Sequence, residues 1–133
     1  MQFHYNYPVM VFKQGHKAIY AKDRDIGIVS KGGEKFYSNL TLIDSLGNVY
    51  TLTGASIKGV APLRICLRHL QRVWELDLEF SQAGTITLDE LKAKIMQHVS
   101  KHHKYWLQLD NVPGIQAMVD RTNTFAELIR LFH

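Results

Sequence analysis

The chain has 133 residues, 46% of them apolar and 11% aromatic, which is enough to build a hydrophobic core and excludes a disordered chain. Single domains commonly run to about 100–150 residues, so one domain over residues 1–133 is expected. Lys and Arg total 16 against 12 Asp and Glu, a net charge of +4, and the single cysteine, Cys66, excludes an internal disulfide, a Cys-x-x-Cys redox pair and a cysteine-based zinc site.

A lone thiol suits a reducing compartment, so the cytoplasm is the expected location. Lys13 follows the short apolar run from Pro8 to Phe12, whereas a secretory signal places its positive charge before a longer run. No stretch approaches the ~18 apolar residues of a membrane span. The charge is uneven along the chain. Lys13, Lys17, Lys22, Arg24, Lys31, Lys35, Lys58, Arg64, Arg68 and Arg72 meet only Asp23, Asp25, Glu34 and Asp44, and after Arg72 the balance turns slightly acidic. Surfaces of opposite sign steer a charged partner.

The first half reads as a sheet. "PVMVFK" and "KAIYAK" are short β-rich runs joined by "QGH", a tight hairpin loop, and "RDIGIVS" adds an extended piece before the Gly-Gly turn of "SKGGEK". "FYSNLTLID" and "VYTLTG" flank "SLGN", where Gly47 and Asn48 tolerate the positive φ of a hairpin. Leu40 and Leu42 alternate with Thr41 and Ile43, so both faces of that strand are expected to be partly covered.

In "APLRICLRHLQR" the period changes. Leu63, Cys66, Leu67 and Leu70 share one helical face, and Pro62 suits the first turn, while Ile65 lies off the face and favours a competing strand. The apolar face, Cys66 included, is expected to be buried. "VWELDLEFS" then alternates: Trp74, Leu76, Leu78 and Phe80 point one way and Glu75, Asp77 and Glu79 the other, the pattern of a half-buried antiparallel strand that "SQAGT" ends.

"TLDELKAKIMQHVSKHHKYW" opens with a capping box between Thr87 and Glu90 and carries Leu88, Leu91, Ile95 and Val99, with His102 or Tyr105, on its inner stripe. A short helix starts near Pro113. A second capping box, Thr124 with Glu127, starts a last helix with Phe125, Leu128, Ile129 and Phe132 on its apolar face. No repeat or low-complexity tract interrupts this order. The expected architecture is one α+β domain, with an antiparallel sheet of about five strands first and C-terminal helices packed on it.

Chemistry-bearing residues are sparse. His98 and His102, four apart, could share a zinc ion, but Val99 stands where a metalloprotease helix carries its glutamate, and His103 points about 100° away. Cationic residues at a helix C-terminus also complement its dipole, so a favourable helix end is the preferred reading and no cofactor is expected. Arg64, Arg68 and Arg72 form a helical stripe that could grip phosphates or carboxylates, or simply cover apolar surface with their stems. Glu75, Asp77 and Glu79, about 6.5–7 Å apart along a strand, are either a wet face or a carboxylate ladder for a basic partner. "GASIKG" is not a phosphate loop, because Lys58 precedes Gly59, and no Gly-x-Ser-x-Gly elbow is present.

In its layout, "YPVMVFKQGHKAIYAK", then "LTLIDSLGNVYTLTGA", then a long helix and a terminal "TFAELIRLF", the chain resembles small cytosolic immunity proteins, the bacterial antitoxins of polymorphic and contact-dependent toxin systems. That resemblance implies a non-enzymatic protein that binds a cognate toxin domain, often a nuclease, and blocks its active site. Charge and exposure nominate Glu75, Asp77 and Glu79, or Arg64, Arg68 and Arg72, as its contacts. Two alternatives stand beside it. One is a nucleic-acid-binding domain using the basic first half, with Tyr5, Tyr7, Phe36 and Tyr37 as stacking groups. The other is a metal-assisted enzyme built on His98 and His102.

Overall fold

Val9, Met10 and Val11 are consecutive on strand β1 (Val9–Lys13) and all three are buried, so this strand is covered on both faces. The computed structural model describes residues 6–13, 19–30, 32–102 and 112–132. The "QGH" loop, Tyr5, Lys31, His103 and Tyr105 lie outside the described residues. Around β1 are β2 (Ile19–Lys22), β3 (Ile28–Val29), a 3-10 turn (Gly33–Phe36), β4 (Leu40–Ile43) and β5 (Asn48–Val60). Helix α1 (Leu63–His69) and β6 (Trp74–Thr85) follow, and then come helices α2 (Leu88–Lys101), α3 (Val112–Asp120) and α4 (Phe125–Arg130).

The fold is α+β. The strands form one six-stranded sheet in the order β2-β1-β4-β5-β6-β3, and every neighbouring pair is antiparallel. Alternation along the strands splits the apolar residues between two cores. Met10 and Ile43 join Leu91, Ile95 and Val99 of α2, Ile115 and Val119 of α3, and Leu128 and Ile129 of α4 on the helix-covered face. Val9, Val11, Leu40, Leu42 and Leu76 face the other way and meet Ile26, Val29 and Tyr37. Each fully buried aliphatic side chain contributes about 1.5–3 kcal/mol. The edge strands β2 and β3 line one cavity together, so the sheet curls around this second core.

The sheet exceeds the expected size because β3 adds to β6, with Ile28 opposite Glu75 and Val29 opposite Trp74. β5 and β6 are also longer than expected. "SQAGT" does not end β6: it pairs with the start of β5, Ser81 with Thr51 and Thr85 with Asn48. "GASIKG" is likewise strand. The register slips between Val49 and Tyr50, Leu52 and Gly54, and Ile57 and Gly59, so bulges absorb residues whose composition reads as turn.

The helix starts follow local chemistry. Thr87 Oγ1 accepts from the Glu90 amide and Glu90 Oε1 accepts from the Thr87 amide, both at 3.1 Å. At α4, Thr124 Oγ1 accepts from the Glu127 amide at 3.1 Å, but Glu127 Oε2 reaches one residue further back, to the Asn123 amide at 3.1 Å. No described helix is long and apolar enough to cross a membrane.

Candidate functional site

α1 sits at the far end of the long β5–β6 hairpin, in the connection between Val60 and Trp74. Its rotation departs from the one expected for three of the four stripe residues. Leu63, Leu67 and Leu70 are exposed, at 74%, 63% and 92% of their surface. Cys66 does turn inward, though only half-buried, and Ile65, which lies off the stripe, turns inward beside it. Cys66 Sγ lies 3.5 Å from the Ala61 carbonyl and 3.8 Å from that of Val73. Apolar periodicity finds a stripe, but it does not say what stands opposite. Here a polar clamp on the other side of the helix fixes the rotation.

That clamp is Asp25, in the loop between β2 and β3. Arg68 Nη1 donates to both its carboxylate oxygens, at 2.8 and 3.0 Å, and His69 Nε2 lies 3.0 Å from Oδ2. Burial pushes the Asp25 carboxyl up, but the hydrogen bonds and charges of Arg68 and His69 outweigh it and hold the group below its ordinary value. α1 ends at His69, where Leu70 takes a left-handed conformation, φ 56° and ψ 28°. The expected three-arginine stripe is therefore broken. Arg68 is bound to Asp25, Arg72 lies beyond the helix, and Arg64 stays exposed beside the leucines.

A leucine stripe with basic neighbours thus crowns the hairpin. Ile57 and Val60, each 55% exposed, mark the end of β5 just before it, with Lys58 between them. The charge reading alone missed these leucines. Their only signal was the stripe itself, which looks the same in sequence whether it is buried or displayed.

Glu75, Asp77 and Glu79 do line the outer face of β6, opposite the buried Leu76. Glu75 lies 3.8 Å from Lys58 across the strand pair, while Asp77 and Glu79 are exposed. The row diverges along a strand and does not close on a point. The His98 and His102 rings lie side by side, centroids 4.8 Å apart. Among the described residues no group of three or more His, Cys, Asp or Glu could hold a metal ion.

The aromatics considered for base stacking serve the core where they are described. Tyr37 is buried and its hydroxyl accepts from the Gly27 amide at 3.0 Å. The Tyr7 hydroxyl accepts from the Ile26 amide at 3.1 Å. Phe36 packs edge-on against Tyr20 and Tyr37, with centroids 5.4 and 5.3 Å away. Part of the basic excess is also internal, since Lys13 Nζ donates to the Phe36 and Ser38 carbonyls at 2.8 and 2.7 Å.

Among the described residues, two hollows share the Lys22 end of β2. An apolar cavity of about 300 Å³ lies inside the curl of the sheet, walled by Val11, Tyr20, Val29, Phe36 and Tyr37. A polar hollow of about 400 Å³ lies beside it, bordered by Asp23, Arg24, Asp25 and His69. Lys22 and Ile28 belong to both. No protein-family model, curated protein or solved structure matches this chain.

Proposed function

We propose that the chain is a protein-binding module that docks its partner with α1, in the manner of an immunity protein that occludes a cognate toxin domain. The single observation that carries this reading is Leu70, 92% exposed and held in a left-handed conformation. For a leucine that conformation costs about 1–2 kcal/mol relative to the right-handed one. Glycine is the usual residue at such a helix end. The left-handed backbone closes α1, with the Gln71 amide donating to the Cys66 carbonyl at 3.2 Å. A glycine would do that without strain, and the displayed leucine side chain buries almost nothing. Strain of this kind clusters at functional sites. Together with Leu63 and Leu67 it forms an apolar contact set, the kind of exposed patch that marks interaction surfaces.

Arg64 and Arg72 border the stripe, so the partner surface that fits is an apolar groove edged with carboxylates. The leucines would enter the groove and the arginines would steer approach. The carboxylate row of Asp77 and Glu79 offers a second contact edge of opposite sign. In this reading the protein works in the cytoplasm, without a cofactor, and blocks its target without changing it chemically.

The experiment is a co-purification and calorimetric titration against the toxic domain encoded beside this chain. The variants are Leu63→Glu with Leu67→Glu, and Arg64→Glu with Arg72→Glu. Loss of binding and of protection in the leucine variant, with an unaltered melting curve, is the expected outcome. Full affinity in both variants removes α1 as the contact. Nucleic-acid binding is the competing outcome, recognised by an affinity that falls steeply with salt.

A further inference from the structure

We propose that the curled sheet holds a small anion with an apolar tail, a medium-chain monocarboxylate, its tail in the cavity between the sheet edges and its carboxylate on Lys22 and Arg24. This rests on different residues from the α1 surface, so either reading can fail without the other.

The sheet stops short of closing. β2 and β3 are its two edges, and both line the apolar cavity, so the hollow occupies the gap that a closed barrel would fill with another strand. Its walls are Val11 from β1, Tyr20 from β2, Val29 from β3 and the rings of Phe36 and Tyr37. The volume, about 300 Å³, is at the lower end of the range of ~300–1,000 Å³ for small-molecule sites. Such mostly apolar walls favour a hydrocarbon tail over a polar one.

The mouth supplies the charge. Lys22 follows Tyr20 on the inner face of β2, and with Ile28 it forms the wall shared by the apolar cavity and the polar hollow. The carboxylates of that hollow are already engaged, Asp25 by Arg68 and His69 and Asp23 by Arg130 at 3.5 Å. Among the described residues the Lys22 and Arg24 side chains make no ion pair or hydrogen bond. Lys22 on the wall shared with the apolar hollow and Arg24 on the polar hollow, both uncommitted, match a ligand with one anionic end and one greasy end. A carboxylate suits them, because arginine can receive it with two parallel hydrogen bonds.

The test is isothermal titration of the purified full chain with sodium octanoate, octan-1-ol and sodium acetate. Octanoate is expected to bind saturably at one site. Octanol should bind at least about tenfold more weakly for want of the charged contact, and acetate not measurably. From butyrate to octanoate each added methylene should tighten binding about threefold to fourfold. Lys22→Met should weaken octanoate about tenfold and leave octanol unchanged. Ser30→Trp, at an exposed position on the cavity rim, should abolish both. Absence of saturable octanoate binding below its micelle-forming concentration overturns the proposal. So does octanoate binding that neither variant alters, or octanol binding as tightly as octanoate.

Discussion

Asp25 and Arg68 stand 43 positions apart in sequence and meet at 2.8 Å, which ties the loop between the edge strands to the helix that crowns the β5–β6 hairpin. The Asp25 side chain is only 15% exposed, so its charge is compensated chiefly by Arg68 and His69. Asp25 also sits at φ 61°, a conformation that asparagine tolerates. Asp25→Asn therefore removes the charge without backbone strain. It should cost about 1 kcal/mol, kept small by the solvent exposure of Arg68. Urea denaturation of the two proteins at neutral pH measures it.

The same contact fixes a pH dependence. The Asp25 carboxyl titrates lower in the folded protein than in the unfolded chain. Its contribution is therefore fully present above the ordinary aspartate value of about 3.9 and disappears as pH falls through the lowered folded value. Melting curves of wild type and Asp25→Asn should differ at neutral pH and converge in strong acid, once the carboxylate is protonated in both the folded and the unfolded protein. A gap that stays at full size in strong acid would contradict the assignment.

How much of this was legible in sequence depended on where the partner of each residue came from. Thr87 and Glu90 meet within one helical turn, and the alternation from Trp74 to Phe80 needs only a strand with one covered face, so both were readable locally. Leu40, Leu42 and Ile43 also announced a strand with two covered faces. The rotation of α1 was not readable, because it is set by Asp25 from a distant loop. The full length of β6 was hidden for a similar reason: "SQAGT" is strand only because β5 lies beside it. Lys22 and Arg24 were counted as charge, but the hollow that gives them a shared task exists only once both sheet edges approach each other.

Gly47 is the turn glycine the sequence singled out, and the structure adds a second reason for it. Its φ is 83°, and an added Cβ would lie 2.7 Å from the Ile86 carbonyl oxygen and 2.8 Å from Phe125 Cζ. Phe125 can give way, but the backbone oxygen cannot do so cheaply, since the Ile86 amide donates to the Gly47 carbonyl at 2.8 Å. Gly47→Ala should cost more than the ~1 kcal/mol of the left-handed conformation alone, about 2 kcal/mol or more in total. Equal thermal stability of the variant would show that this turn relaxes freely.

Asp44 was counted in the sequence only as one of few acids, yet it organises the β4–β5 turn. It is 1% exposed. Oδ1 accepts from the Leu46 and Asn48 amides at 3.0 and 2.9 Å, and Oδ2 accepts from the Asn6 and Asn48 side-chain amides at 2.9 and 3.2 Å. Asp44→Ala strands four donors at once and should cost about 2–4 kcal/mol. Asp44→Asn, which keeps one acceptor oxygen, should cost less. Chemical denaturation of both variants separates these outcomes, and a loss under ~0.5 kcal/mol for the alanine would mean that water replaces the carboxylate.

Leu70 allows stability and binding to be read in opposite directions from one substitution. In Leu70→Gly the left-handed φ of 56° loses its penalty, and almost no buried surface is lost, because the side chain is 92% exposed. Glycine also widens the unfolded ensemble, which takes back part of the gain. The variant should end up about 0.5–1 kcal/mol more stable. Ile65→Ala, on the inward side of α1, should instead destabilise by about 1–2 kcal/mol. If α1 serves only as a connection, Leu70→Gly is a pure improvement. If it is the docking surface, the stabilised variant binds its partner less tightly. Paired melting and affinity measurements on the two variants distinguish a helix that displays its leucines from one that merely fails to bury them.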